Sequence, residues 1–377
     1  MLSLRVSVQQ INCLESDMSK TSRIFVVGAT GAQGIPVVRG LVNDGRYSVL
    51  ALTRDAASAR ARALAELGNV EFLEGTFADE ANLRQGMRAC DGVFVNIDGF
   101  NAGEKTEIYW AIRAYEIALE EGVKFFVYGN LDYTLKKAGY RSMFRTGHYD
   151  GKGRIGEWIL NQNVSNGGRM GAALFTTGPY MEMAFSAQTP MTPRIEDGVL
   201  TWRVPLGQGA VVHVSLEDCA YYVRWLFDHP ERANGMDLEV AIDHIRYADL
   251  AAAFTRVTGY PARYVDTDLD AYFAPLAAIT GLPAGYNADP SDKSTMSFRD
   301  NFTGFWNQWK HDIITRDYSL LDEIHPGRVR SAEEWIRRWE NRAKESGGET
   351  LWERVQPETL SKRPILKLSE DHRRGVL

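Results

Sequence analysis

Twelve residues near the start of the chain restrict its fold more than any others: Arg23-Ile-Phe-Val-Val-Gly-Ala-Thr-Gly-Ala-Gln-Gly34. A β-branched and aromatic run leads directly into three glycines, and an apolar helical pattern follows from Ile35. Strand, glycine turn and helix in this order form the cradle for a dinucleotide pyrophosphate. Gly28 permits a sharp exit from the strand. Gly31 lets backbone N–H groups approach phosphate oxygens with no Cβ in the way, and Gly34 lets helix and strand pack closely. The helix N-terminus adds unpaired N–H donors and partial positive charge. The spacing is G-x-x-G-x-x-G, distinct from the G-x-G-x-x-G of many dehydrogenases.

Strands and helices alternate after the turn. Strands are expected over 47–53, 70–75, 91–97, 124–128 and 170–176, with helices over 35–42, 56–67, 80–89 and 104–121 between the first five. This alternation is the signature of an α/β, Rossmann-like, doubly wound parallel sheet. Beyond it the pattern becomes mixed. Short strands over 198–204 and 210–214 are joined by the turn Pro205-Leu-Gly-Gln-Gly209. Ser215 is placed to cap the following helix, a further strand covers 238–242, and a helix over 247–258 ends at Gly259. The expected organisation is an extension over 1–20, a dinucleotide domain over 21–180, a smaller mixed α/β C-terminal lobe over 181–340 (some of whose strands can return to the main sheet) and a polar tail over 341–377. Met18 is an alternative start to Met1.

Position singles out further residues. Arg54 follows the second strand about twenty residues beyond the glycines, where a basic residue accommodates an adenosine 2′-phosphate and an acidic one a free ribose. NADP is therefore favoured over NAD, although Asp55 stands next to it, free to cap the next helix or to face the ribose. Phe77 can lie against the adenine, and Asp79 is the natural N-cap of the helix from Glu80. Asn96 and Asp98 end the fourth strand, on the side where ligands of parallel sheets bind.

The net charge of −6 argues against sequence-independent binding of nucleic acid. Cys13, Cys90 and Cys219 provide neither a disulfide framework nor zinc spacing. His213, His229 and His244 show no ligand spacing either, so no metal site is expected. The absence of a long apolar run argues against a membrane span. A cytoplasmic or nuclear place fits these features.

The turn Gly28-Ala-Thr-Gly-Ala-Gln-Gly34, Arg54, Phe72-Leu-Glu-Gly-Thr with Asp79, Asn96, the segment His148-Tyr-Asp-Gly-Lys152 and Thr177-Gly-Pro-Tyr-Met-Glu182 form an ordered set. Together they resemble the NmrA-like family of atypical short-chain dehydrogenase/reductases, over roughly residues 20 to 260. The resemblance implies cofactor contacts from Gly28, Thr30, Gly31, Ala32, Gln33, Gly34, Arg54, Phe77, Asn96 and Lys152. It also implies that the stretch after the sixth strand lies along the nicotinamide, bringing Tyr180 and Glu182 toward the pocket. Ordinary members of the superfamily carry Tyr-x-x-x-Lys. Here Lys152 holds the lysine position, but His148 stands in place of the tyrosine, and Tyr149 is rotated away on the helix. His148 is either a proton donor or a structural residue. Tyr180 is either a second donor or a wall of the pocket.

The last part of the chain, from Asp270 to Glu340, is rich in aromatic residues and serves as core or as lining for an apolar substrate. Ser331-Ala-Glu-Glu334 reads as a capping box. Two functions are compatible with all of this. One is an NADP-dependent oxidoreductase acting on a carbonyl, imine or enone of a small organic molecule, of the kind found in secondary metabolism. The other is a silent NADP-binding redox sensor that acts on a protein partner.

Overall fold

The computed structural model describes residues 22–362, 364–367 and 377; the expected N-terminal extension, both candidate start methionines and Cys13 lie outside the described residues. The first six strands are β1 (Ser22–Val27), β2 (Tyr47–Thr53), β3 (Val70–Glu74), β4 (Gly92–Val95), β5 (Phe125–Leu131) and β6 (Gly171–Thr177). Between them run α1 (Gly34–Val42), α2 (Ala59–Ala65), α3 (Glu80–Arg88), α4 (Glu104–Glu120) and α5 (Gly147–Ser165). The later strands are β7 (Arg194–Glu196), β8 (Val199–Val204), β9 (Val211–His213), β10 (Asp237–Glu239), β11 (Asp243–Ile245) and β12 (Ala262–Asp266). The later long helices are α6 (Leu216–Asp228), α7 (Tyr247–Thr258), α8 (Phe298–Lys310) and α9 (Ala332–Ser346).

Seven strands form a parallel, Rossmann-like sheet in the order β10-β6-β5-β4-β1-β2-β3. Helices cover both faces, so the central strands are continuous apolar runs: Phe25, Val26, Val93, Phe94, Phe126 and Val127 are all sealed from solvent. Strand order reverses between β1 and β4, which opens a crevice at their carboxyl ends.

The seventh strand, β10, comes from the stretch 181–340 and pairs with β6 from Asp237↔Leu174 to Glu239↔Thr176. α6 also returns to this body, packing on α1 so closely that a Cβ on Gly40 would lie 2.5 Å from the Ala220 carbonyl oxygen. The turn at Pro205 makes no hairpin: β8 lies between β7 and β12, whereas β9 pairs with β11.

The smaller lobe has an aromatic core of its own. Phe185 meets Trp202 edge-on and stacks on Trp335, both at 5.6 Å between centroids. The lobe is tied to the main sheet by Arg316. Its guanidinium grips Asp132 at 2.9 and 2.8 Å and also reaches the carbonyl oxygens of Thr177 and Val240. Both side chains of this pair are fully buried. Burial alone would raise the Asp132 carboxyl, but Arg316 and Lys137 hold it below its ordinary value.

Candidate functional site

The glycine turn sits at the mouth of the crevice. Gly28 has φ +86°, and a Cβ there would lie 2.4 Å from the Asn96 carbonyl oxygen. Gly34 is a packing residue: its Cβ would stand 2.0 Å from the Gly28 carbonyl oxygen. Of the expected contacts around the turn, Gly34 alone does not line the cavity. α1 has no acidic residue in its first turn and no side-chain cap. Ala32 and Gln33 offer N–H groups with no backbone partner among the described residues. These are the donors that an anion at a helix N-terminus uses.

Arg54 lines the cavity at the end of β2, and Arg60, on α2, donates to the Thr30 carbonyl oxygen at 3.3 Å. Asp55 takes the N–H of Ala57, while Ser58 caps α2. Asp79 caps α3 as its position implied. The tail, expected as polar surface or disorder, contributes here. Lys367 donates to Thr30 Oγ1 at 3.1 Å, and Arg60 holds the Pro364 carbonyl oxygen at 3.3 Å.

Deeper in, α5 brings Lys152 to the carboxyl ends of β4 and β5. Its ammonium lies 2.8 Å from Glu107 Oε1, 2.9 Å from the Ile97 carbonyl oxygen, and 3.2 Å from both Asn96 Oδ1 and the Gly129 carbonyl oxygen. Its three protons go to Asn96, Ile97 and Gly129, and Glu107 adds an ion pair. Glu107, on α4, is fully buried; burial raises its carboxyl and Lys152 opposes that rise. Asn96 Nδ2 donates to Gln33 Oε1 at 2.7 Å, and Gln33 Nε2 reaches Thr177 Oγ1 at 3.4 Å. One polar chain thus links Lys152 to the glycine turn and to the end of β6.

His148 is one helical turn before Lys152. Asn301, fully buried on α8, presents Oδ1 to both the backbone N–H of His148 (3.3 Å) and its Nδ1 (2.9 Å). The imidazole is packed among Phe100, Phe302 and Phe305, at centroid distances of 4.8, 5.7 and 5.8 Å. Burial pulls its pKa down to about 4, so the ring is neutral at pH 7 with its proton on Nδ1. An acid role would require that proton on Nε2, and the Asn301 contact holds it on the other nitrogen. Tyr149, expected to be rotated away, packs against Phe305 and Trp309 and also borders the cavity.

Tyr180 lines the cavity, and burial pushes its phenol above the ordinary value, so it keeps its proton. Glu182 does not follow it into the pocket. Its Oε1 takes the N–H of Leu216 at the start of α6, and burial lifts its carboxyl to about 7. Met181 is fully buried in the core of the smaller lobe.

The cavity that joins these groups has a volume of about 1490 Å³. Gly28, Thr30, Gly31, Ala32, Gln33, Arg54, Phe77, Asn96, His148, Lys152 and Tyr180 all border it. The aromatic residues of the last part divide between two roles. Phe273, Trp306 and Trp309 are core, while Tyr272, Tyr286, Phe298, Phe302 and Phe305 face the cavity. Sequence reading missed Glu107, Asn301 and Lys367. Glu107 is one of several acids in a helix that reads as amphipathic, and the other two lie far along the chain from their partners, so no local pattern marked them. Among the described residues no group of three or more His, Cys, Asp or Glu side chains is placed to hold a metal ion, and no helix is long and apolar enough to cross a membrane.

Known proteins share the fold. The NmrA-like oxidoreductase himF of Aspergillus japonicus is 28% identical over 257 residues, covering 64% of this chain and 75% of that one. NmrA, a negative transcriptional regulator solved with NAD, superposes with a TM-score of 0.67 at 15% identity, covering 88% of this chain and all of that one. The NADPH-dependent quinone oxidoreductase QOR2 of Escherichia coli, solved with NADPH, superposes with a TM-score of 0.63 at 20% identity, covering 84% and 99%. The model of the NmrA-like family matches residues 20–304, and the chain belongs to that family.

Proposed function

We propose that the protein is an NADP-dependent oxidoreductase acting on a carbonyl, imine or enone of an apolar organic molecule. The observation that carries this reading is the extent of the cavity. It runs from the glycine turn past Lys152 into an aromatic chamber, and at about 1490 Å³ it exceeds the ~300–1,000 Å³ typical of a single-ligand pocket. There is room for a dinucleotide and a second molecule.

The residues present fit a dinucleotide. Gly28 lets the turn pack against the Asn96 carbonyl oxygen, and the N–H groups of Ala32 and Gln33 have no backbone partner among the described residues. In this reading Arg54, with Arg60 and Lys367 near Thr30, holds the 2′-phosphate, and Phe77 borders the adenine. Lys152 orients the nicotinamide ribose by exchanging one of its two 3.2 Å bonds, to Asn96 or Gly129, for a ribose hydroxyl. The bound nicotinamide supplies hydride. Tyr180 supplies the proton, because it retains one and His148 has none to offer on its open side. Relatives named as NmrA-like oxidoreductases support the same reaction class.

One observation favours the alternative of a silent sensor with a protein partner: the Lys152 protons are already engaged by protein acceptors. The test is NADPH binding followed by NADPH consumption against ketones, enones and imines. Substrate-dependent consumption supports the enzyme. Binding without consumption of any substrate, together with a co-purifying protein, supports the sensor.

A further inference from the structure

We propose that the chamber beside His148 selects an aromatic substrate carrying an O–H or N–H group, which donates to His148 Nε2. The proposal rests on the oxidoreductase reading and names the substrate class of the same cavity.

The argument begins at Asn301. The backbone N–H of His148 can only donate, so the amide atom facing it at 3.3 Å must be the oxygen. A flipped amide would set NH₂ against N–H. That same oxygen lies 2.9 Å from Nδ1, which must therefore carry the ring proton. A neutral imidazole has one donor and one acceptor, so Nε2 is the acceptor. Nε2 has no protein partner among the described residues and is not sealed from the cavity.

The acceptor is fixed in place. Phe100, Phe302 and Phe305 pack around the ring, with Tyr149 edge-on at 5.0 Å. A ligand that covers this acceptor without offering a donor leaves it unpaired and dehydrated, which costs affinity. The surrounding walls determine the rest of the class: Tyr272, Leu276, Ile279, Leu282 and Phe298 present flat or aliphatic surface. A phenol, hydroquinone, indole or lactam N–H satisfies both demands. A phenolate or an O-methylated analogue satisfies only the apolar one.

The test uses the full-length protein with and without saturating NADPH, and two probes, 2-naphthol and 2-methoxynaphthalene, titrated by calorimetry. The ether lacks the donor and adds one methyl group, whose effect the His148→Phe titration isolates. Wild-type protein is expected to bind 2-naphthol roughly tenfold or more tightly than its methyl ether, and His148→Phe, which preserves the aromatic packing, is expected to reduce that ratio to about one. Equal affinities in the wild type overturn the proposal, as does a naphthol preference that survives in His148→Phe, or binding of neither probe. The cofactor reading is measured separately by the NADPH titration, so failure of the one is distinguishable from failure of the other.

Discussion

Single atoms decide several features of this chain. A methyl group on Gly34 would enter the space of the Gly28 carbonyl, 2.0 Å away, with Ala29 at 2.8 Å. Gly34→Ala is expected to cost about 1–3 kcal/mol or more, measured by urea unfolding, and to displace the turn enough to abolish NADPH binding. Arg54→Asp would exchange the proposed phosphate partner for a repelling charge. The NADPH-to-NADH affinity ratio should fall by at least roughly tenfold; an unchanged ratio would remove the NADP assignment.

Two histidines with lowered pKa values give a pH signature. His148 and His213 are both depressed to about 4 by burial. As pH falls, the unfolded chain takes up these protons first, near the ordinary value of about 6.5. Their contribution to stability is therefore complete above that value and is lost between there and about 4. His148→Phe should flatten part of this acid limb in pH-dependent unfolding, and an identical limb would contradict the neutral assignment. The places of Gly28, Gly31 and Arg54 at the cavity were legible in sequence because they are local, fixed by the strand before each. The proton position of His148 was not, since it depends on Asn301, 153 residues away.

Elements were legible where their ends carry their own chemistry. Asp79 caps α3, and α7 ends at Gly259 with φ +79°, as their positions implied. Other caps were taken over by tertiary partners. Ser331 accepts the N–H of Glu334, but the Glu334 carboxylate turns to the N–H of Arg330, so only half of the box forms. Ser215 makes no side-chain cap on α6, and Glu182 takes the N–H of Leu216. Short strands such as β9 and β10 show no periodicity long enough to reveal which sheet they join. The tail segment 364–367 has the composition of a solvated end, yet it reaches the glycine turn through Lys367 and Pro364. Deleting residues 364–377 is expected to weaken NADPH binding by about three- to tenfold. Equal affinity in the truncated protein would show that the segment does not hold phosphate.

At the scale of the whole molecule, a cofactor sheet and an aromatic lobe close on a shared cavity, and Arg316 is the fastening between them. Arg316→Met leaves Asp132 buried, with Lys137 at 2.6 Å as its remaining partner. It should cost about 3–5 kcal/mol, read as an earlier unfolding transition. The alternation of strands and helices made the sheet legible, but the joining of the two bodies rests on contacts between distant segments. The central claim is that hydride transfer occurs across this cavity, with Tyr180 as proton donor. The most direct measurement is NADPH consumption with phenol-bearing ketones and enones by wild type and Tyr180→Phe, alongside NADPH affinity for each. The account predicts substrate-dependent turnover that falls by about 10²–10⁴-fold in Tyr180→Phe with NADPH affinity unchanged. Tight NADPH binding with no turnover by the wild type on any substrate, or full turnover in Tyr180→Phe, would contradict it.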